Sequence, residues 1–131
     1  MNWIQGIQRA IDYVEENITE EIDFEEAAKR AYSSSFHFQR VFGILCGFPL
    51  GEYIRMRRLS LAGEEIAKGN AKIIDVAFKY GYDTPESFSR AFTRFHGILP
   101  SEAKHGGCIK IFTPLSVKLT LTGGSKMDYR I

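Results

Sequence analysis

Apolar residues in the first half of the chain recur at helical spacing. Trp3, Ile4, Ile7, Ile11, Val14 and Ile18 follow a 3.6-residue period, and Asn17 stands where such a helix would end. Asp23 with Glu26 three residues later has the form of a capping box, and Phe24, Ala27, Ala28 and Ala31 give the next helix a small-residue face suited to a close crossing. Ser33, Ser34 and Ser35 break that helix and cap a third. In it Phe38, Val41, Phe42 and Leu45 point inward, leaving Phe36, His37, Gln39, Arg40 and Gly43 outward. Gly47 ends this helix, Pro49 and Gly51 make a turn, and an amphipathic run over residues 52–68 is closed by Gly69 and Asn70. About 17 residues at 1.5 Å each make a rod of about 25 Å.

The pattern then starts again. Ile73, Val76, Ala77 and Tyr80 repeat the helical period and Gly81 is placed to stop it. Thr84 can N-cap the next helix, Pro85 suits its first position, and Glu86 favours the positive end of the dipole. Phe88, Phe92 and Phe95 form its apolar stripe, with Glu86, Ser87, Arg90, Thr93 and Arg94 on the other side. Sliding the chain by 50 residues lays Tyr32 on Tyr82, Phe38 on Phe88, Arg40 on Arg90, Phe42 on Phe92 and Gly47 on Gly97 without a gap. Amphipathic helices in general share phenylalanines, but not also a turn tyrosine, an exposed arginine and a terminal glycine. Each copy has the outline of a helix-turn-helix DNA reader, a tight turn followed by a helix with polar and basic residues at its exposed N-terminal end.

After Pro100 and a short helical turn to Lys104, Gly106 and Gly107 form a joint, and the character changes. Residues 109–121 are rich in β-branched and apolar side chains with partial alternation, broken at Thr113 and Pro114 and closed by Gly123 and Gly124. The expected fold is all-α: about seven helices in two helix-turn-helix units joined by a long linker helix, with an extended, strand-like C-terminal tail. The expected domains are residues 1–105, and residues 106–131 as a linker and the first strand or strands of a truncated effector-binding domain. A tail beyond a Gly-Gly joint, with no basic cluster, is expected to add nothing to DNA binding.

Charge sharpens this picture. The 131 residues carry a formal charge of +1, but residues 1–28 hold one basic residue, Arg9, against eight acidic, whereas residues 29–105 hold twelve basic against seven acidic. A locally basic surface is what phosphate binding requires, and the acidic end should face away from it. Arg55, Arg57 and Arg58 on the rod are phosphate contacts or simply a solvated face. The first residues lack the basic start and cleavage site of a signal peptide and no run approaches the roughly 20 apolar residues of a membrane span, so a cytoplasmic protein without membrane contact is expected. Cys46 and Cys108 have no C-x-x-C spacing, so reduced thiols are the default and neither disulfide nor zinc is expected. His37, His96 and His105 are scattered and no local set of nucleophile, base and acid occurs, which argues against an enzyme, a cofactor or a metal. His37 is expected to meet phosphate or solvent, and His96 to cover the end of its helix. The rival to DNA reading is a helical protein-protein interaction module, separable by its weak dependence on salt.

The run SSSFHFQRVFGILCG, the rod's YIRMRRLSLA and the stretch IIDVAFKYGYDTPESFSRAFTRFHGILP together resemble the DNA-binding domain of the AraC/XylS family of bacterial transcription regulators over about residues 1–104. Val76 and Tyr82 stand where that pattern usually has Ile and Phe. The resemblance implies two recognition helices in successive major grooves, about 34 Å apart. It places base reading on Phe36, Gln39 and Arg40 and on Pro85, Glu86, Ser87 and Arg90, and backbone contacts on Ser34, His37, Thr84, Arg94 and Arg55. Pro85 has no donor and Glu86 repels phosphate, so the second unit is expected to read fewer bases. Also implied are an activator acting with RNA polymerase and binding as a monomer. The tail IKIFTPLSVKLTLTGGSKMDYRI resembles the opening of a gyrase-inhibitor-like domain, which implies a small-molecule effector bound by a further C-terminal domain.

Overall fold

A computed structural model gives the conformation of residues 2–120 and 126–130. The chain divides into two compact units. The first holds Met1–Ile18, Ile22–Ile54 and Thr113–Ile131; the second holds Thr19–Glu21 and Arg55–Phe112.

In the first unit α1 (Trp3–Glu16) starts where the Asn2 side chain accepts the Ile4 N–H at 2.9 Å, and α2 (Phe24–Arg30) starts where Asp23 accepts from Glu25. α3 (Ser35–Cys46) is capped by Ser34 and ends at Gly47, whose φ of 86° lets the chain turn away. Ile7, Ile11, Val14, Ala27, Phe38, Phe42 and Leu50 are buried together with Tyr53, at the start of α4 (Leu50–Ala67). The Tyr53 hydroxyl donates to the Glu15 carboxylate at 3.0 Å and accepts the Leu115 N–H at 3.3 Å, which ties the chain beyond Pro114 to this core. Two short strands, β1 (Ser116–Thr120) and β2 (Lys126–Arg130), form an antiparallel hairpin in which Ser116 faces Arg130, and β1 lies beside α1. Among the described residues the hairpin has no third strand.

The second unit is built from the rest of α4 with α5 (Ile73–Lys79), α6 (Pro85–His96) and α7 (Pro100–Lys104). Leu59, Ala62, Ile66, Val76, Ala77, Tyr80, Phe88, Phe92 and Ala103 form its core. The seven helices are those that periodicity predicts.

The two units repeat one another more closely after their turns than before them. α3 and α6 are offset by 50, and from Phe38 to Leu50 the sequence of buried, half-buried and exposed positions equals that from Phe88 to Pro100. In the turns the offset is 49, because residues 31–34 link the first pair of helices and 80–84 the second. Tyr32 takes a left-handed φ of 54° where Gly81 takes 90°. The hydrogen bonds agree: Ser33 N–H to Ala28 C=O at 3.1 Å matches Tyr82 N–H to Ala77 C=O at 3.0 Å. The sequence match of Tyr32 with Tyr82 is therefore corrected. Tyr32 does glycine's work in its turn, at a cost of about 1 kcal/mol, and its ring is 80% exposed beside the Arg9 guanidinium. Tyr82 packs edge-on against Phe88 at 5.4 Å.

A second correction concerns residues 107–115. The stretch taken for a linker is packed: Phe112 and Leu115 are buried, and the Phe112 backbone accepts from the Arg57 guanidinium and donates to Ser60 Oγ at 2.8 Å. Arg57 is thus neither solvated nor free for phosphate. Arg58, half-buried, donates to the Glu20 carbonyl at 2.6 Å. Burying a guanidinium requires such partners, and here backbone carbonyls supply them.

Candidate nucleic-acid interface

The outward faces of α3 and α6 carry most of the residues expected to meet a ligand. On α3, Ser34 Oγ accepts the His37 N–H at 3.3 Å, which leaves other first-turn N–H groups pointing outward with the positive end of the dipole. Phe36, 79% exposed, Gln39 and Arg40 line one open hollow. A phenyl ring so exposed at a helix start has no role in the core. The Gln39 amide donates to Ser35 Oγ at 2.9 Å, which fixes the direction of the side chain. His37 is exposed, with its ring 5.4 Å from that of Trp3.

On α6 the cap is a small network. Thr84 Oγ1 accepts the Ser87 N–H at 3.1 Å and donates to Ser87 Oγ at 2.9 Å, while Ser87 Oγ donates to the Thr84 carbonyl at 3.0 Å. The hydroxyls of Thr84 and Ser87 therefore hold the helix start. Glu86 and Arg90 are exposed, and Arg90 shares a hollow with Ser89, Thr93, Arg94 and Leu99. Ser89 was not singled out from the sequence, although sliding Gln39 by 50 residues lands on it. Phe36 corresponds to Glu86 and Arg40 to Arg90 by the same offset, so Phe36, Gln39 and Arg40, which share a hollow, match Glu86, Ser89 and Arg90, of which Ser89 and Arg90 share one. Arg94 is exposed one turn beyond Arg90, and Arg55 lies half-buried on α4.

His96 does not cap a helix surface as expected; it is 5% exposed in the core of the second unit. Nε2 lies 2.8 Å from the Leu59 carbonyl and Nδ1 accepts the Lys110 N–H at 3.0 Å. A carbonyl only accepts and an amide only donates, so the ring is neutral with its proton on Nε2. Burial pushes its pKa below the ordinary value, opposed by the bond to Leu59 and helped by the Lys110 charge. A histidine with a depressed folded pKa contributes stability that is complete above the unfolded value of about 6.5 and lost as pH falls through the folded one. The unfolding free energy from urea titrations should therefore drop between pH 7.5 and 5.5, by no more than about 1.4 kcal/mol per pH unit, and by less in His96→Gln. An equal drop in both proteins would assign the loss to other groups.

The remaining titratable clusters do not suggest chemistry. Glu65 accepts from Lys79 at 2.5 Å and from the Tyr80 hydroxyl at 2.6 Å, an ion pair that fastens α5 to α4. Cys46 is buried, which pushes its thiol up to about 11, and Cys108 is exposed; both are free. Among the described residues no group of three or more His, Cys, Asp or Glu could hold a metal ion, and no helix is long and apolar enough to cross a membrane.

Comparison with known proteins yields one consistent set. The model of a helix-turn-helix domain family matches residues 27–105. The HTH-type transcriptional activator AarP of Providencia stuartii is 38% identical over 95 residues, 72% of this chain and 70% of that protein. The regulatory protein SoxS of Salmonella typhimurium is 36% identical over 105 residues, 80% of this chain and 98% of SoxS. Among solved structures, an AraC-type transcriptional regulator from Chromobacterium violaceum has a TM-score of 0.71 at 21% identity, covering 76% of this chain and 89% of that one. The DNA-binding domain of AdpA in complex with a target DNA has a TM-score of 0.68 at 24% identity, covering 77% and 91%. The fold is shared with both.

Proposed function

Because the chain belongs to the AraC/XylS family of helix-turn-helix transcription regulators, we infer that it binds double-stranded DNA in a sequence-specific manner in bacterial transcription regulation, with α3 and α6 as its two readers. The observation that carries the reading is the repeat: two 12-residue helices with the same buried faces and different exposed first turns. A pure scaffold has no need to hold Phe36 in solvent or to present Arg40 and Arg90 at matched places. Base contacts are assigned to Phe36, Gln39 and Arg40, and to Glu86, Ser89 and Arg90. Ser87 supports the second reader through its cap. Ser34 and Thr84 bring helix N-termini to the backbone, with His37, Arg55 and Arg94 as further phosphate contacts.

Two readers in one chain make a dimer unnecessary, so a 1:1 complex with a footprint of about two helical turns is expected. Activation through RNA polymerase, and an effector bound by a further C-terminal domain, complete the proposal. The cytoplasm is its place of work.

The three exposed arginines test the assignment. An arginine in the major groove pairs with the two acceptors of guanine, a contact worth about 1 to 3 kcal/mol of discrimination. Arg40→Ala and Arg90→Ala should each weaken binding to a site selected from random duplexes and leave random DNA almost unaffected. Arg94, a turn further along α6, is leaving the groove. Arg94→Ala should weaken both and lower the salt slope by about one unit. Equal losses on both DNAs for Arg40 and Arg90 would reduce them to backbone contacts.

A further inference from the structure

We propose that residues 109–112 act as a strap that positions the second reading helix, working through His96. The proposal rests on α6 being a DNA reader, and every contact it uses lies within the second unit. His96 is the last residue of α6. Its ring lies tilted at 40° against Phe92 with centroids 4.2 Å apart and fits a notch in α4 that exists because residue 63 is glycine: a Cβ there would lie 2.6 Å from the ring. Nε2 fastens the ring to α4 at Leu59, and Nδ1 takes the Lys110 N–H of the strap. The strap returns to α4 two residues later, where the Phe112 N–H donates to Ser60 Oγ and the Phe112 carbonyl accepts from the buried Arg57. Three elements thus form a closed ring of contacts: α6 to α4, α6 to strap, strap to α4.

Such a ring restrains the last turn of α6 more than apolar packing alone, because each link is directional and all are buried except the part-buried bond from Lys110. Loosening the strap removes one of the two fixed points of His96, and the helix gains freedom about its axis. A groove contact depends on the angle at which Arg90 and Ser89 are presented, so discrimination should suffer before the fold does. The first unit has Cys46 at the equivalent place on α3, a side chain that lacks the two opposed nitrogens needed for this bridge.

The test uses the full chain. His96→Leu keeps an apolar body in the notch but offers neither nitrogen. His96→Gln can still donate to Leu59 and accept from Lys110, and serves as rescue. Affinity is measured for the selected duplex and for the same duplex with the part read by α6 scrambled, and amide exchange is followed along α3 and α6 without DNA. His96→Leu should lose about tenfold on the selected duplex, stay within about twofold on the scrambled one, and recover to within about threefold in His96→Gln. Exchange in the last turn of α6 should quicken about tenfold with α3 unchanged. Ser60→Ala, which removes one of the two bonds that hold the strap to α4 without touching α6, should give the same pattern more weakly and carries the test if His96→Leu does not fold. Equal losses on both duplexes, or unchanged exchange in α6, would overturn the positioning role. Equal binding of the wild-type chain to selected and random duplexes would overturn the DNA reading itself, a distinct result.

Discussion

Phe92→Ala should melt the second unit. Phe92 is fully buried, 5.5 Å from the Phe88 ring and 4.2 Å from His96, so it joins the aromatic row of α6 to the residue that anchors that helix on α4. Truncating a buried phenylalanine costs about 3 to 5 kcal/mol, part lost transfer energy and part cavity. A small domain has only about 5 to 15 kcal/mol in all. The melt should split, with the second unit lost at a lower temperature than the first. Phe42, at the matched place on α3 and equally buried, should produce the mirror result. An unchanged melt accompanied by altered DNA preference would mean that the ring faces the groove and that the helix is rotated from the orientation described.

Gly63→Ala should destabilise the protein, against the ordinary expectation for a glycine inside a helix. Helix propensity alone predicts a gain of about 1 kcal/mol. The new methyl, however, would lie 2.6 Å from His96 Cε1 and 2.7 Å from Nε2. A flexible side chain would swing away. His96 is bonded on both nitrogens, so moving it forfeits buried hydrogen bonds worth about 1 to 3 kcal/mol each in desolvated partners, on top of an overpacking cost of about 1 to 3 kcal/mol. The net loss should be at least about 2 kcal/mol, read as a lower urea midpoint. Gly43, in α3, supplies the control. A Cβ there meets nothing within 4 Å, and Gly43→Ala should stabilise by about 0.5 to 1 kcal/mol. If both substitutions stabilised, His96 would not be seated in the notch.

The parts of the fold that were legible in the sequence are those with local causes. Thr84 and Pro85 start α6 because a hydroxyl acceptor and a missing N–H suit a helix N-terminus, and Gly47 and Gly97 end the readers at φ of 86° and 79° because glycine tolerates that region. Periodicity placed the core faces. What escaped has distant causes. Arg57 and His96 look like surface residues until the chain brings Phe112 and Leu59 to them, 55 and 37 residues away. Phe112 and Leu115 stand three apart across Thr113 and Pro114, a spacing that fits no strand face, and only the bonds that Phe112 makes to Ser60 and Arg57 and Leu115 to Tyr53 show where they are held. Tyr32 gives no sign that its backbone is left-handed, so the offset of 49 was hidden behind a coincidence of tyrosines. At the candidate site the arginines stood out by charge. Ser87 looked available because its two bonds to Thr84 are a detail of cap geometry, and Ser89 was passed over because a half-buried serine resembles any other.

The shared burial pattern of the two readers, with Phe36, Gln39 and Arg40 displayed on one and Glu86, Ser89 and Arg90 on the other, gives the protein a direction. A symmetric dimer reads a palindrome and cannot tell left from right. One chain that binds alone through unlike halves, as proposed, would: its preferred site would have a head and a tail, and inverting that site in a promoter would turn the bound molecule around. Whatever the chain carries at either end is then presented upstream or downstream according to the strand on which the site is written. A promoter could thus select or forfeit a contact with its neighbour by the orientation of the site alone, with no change in affinity.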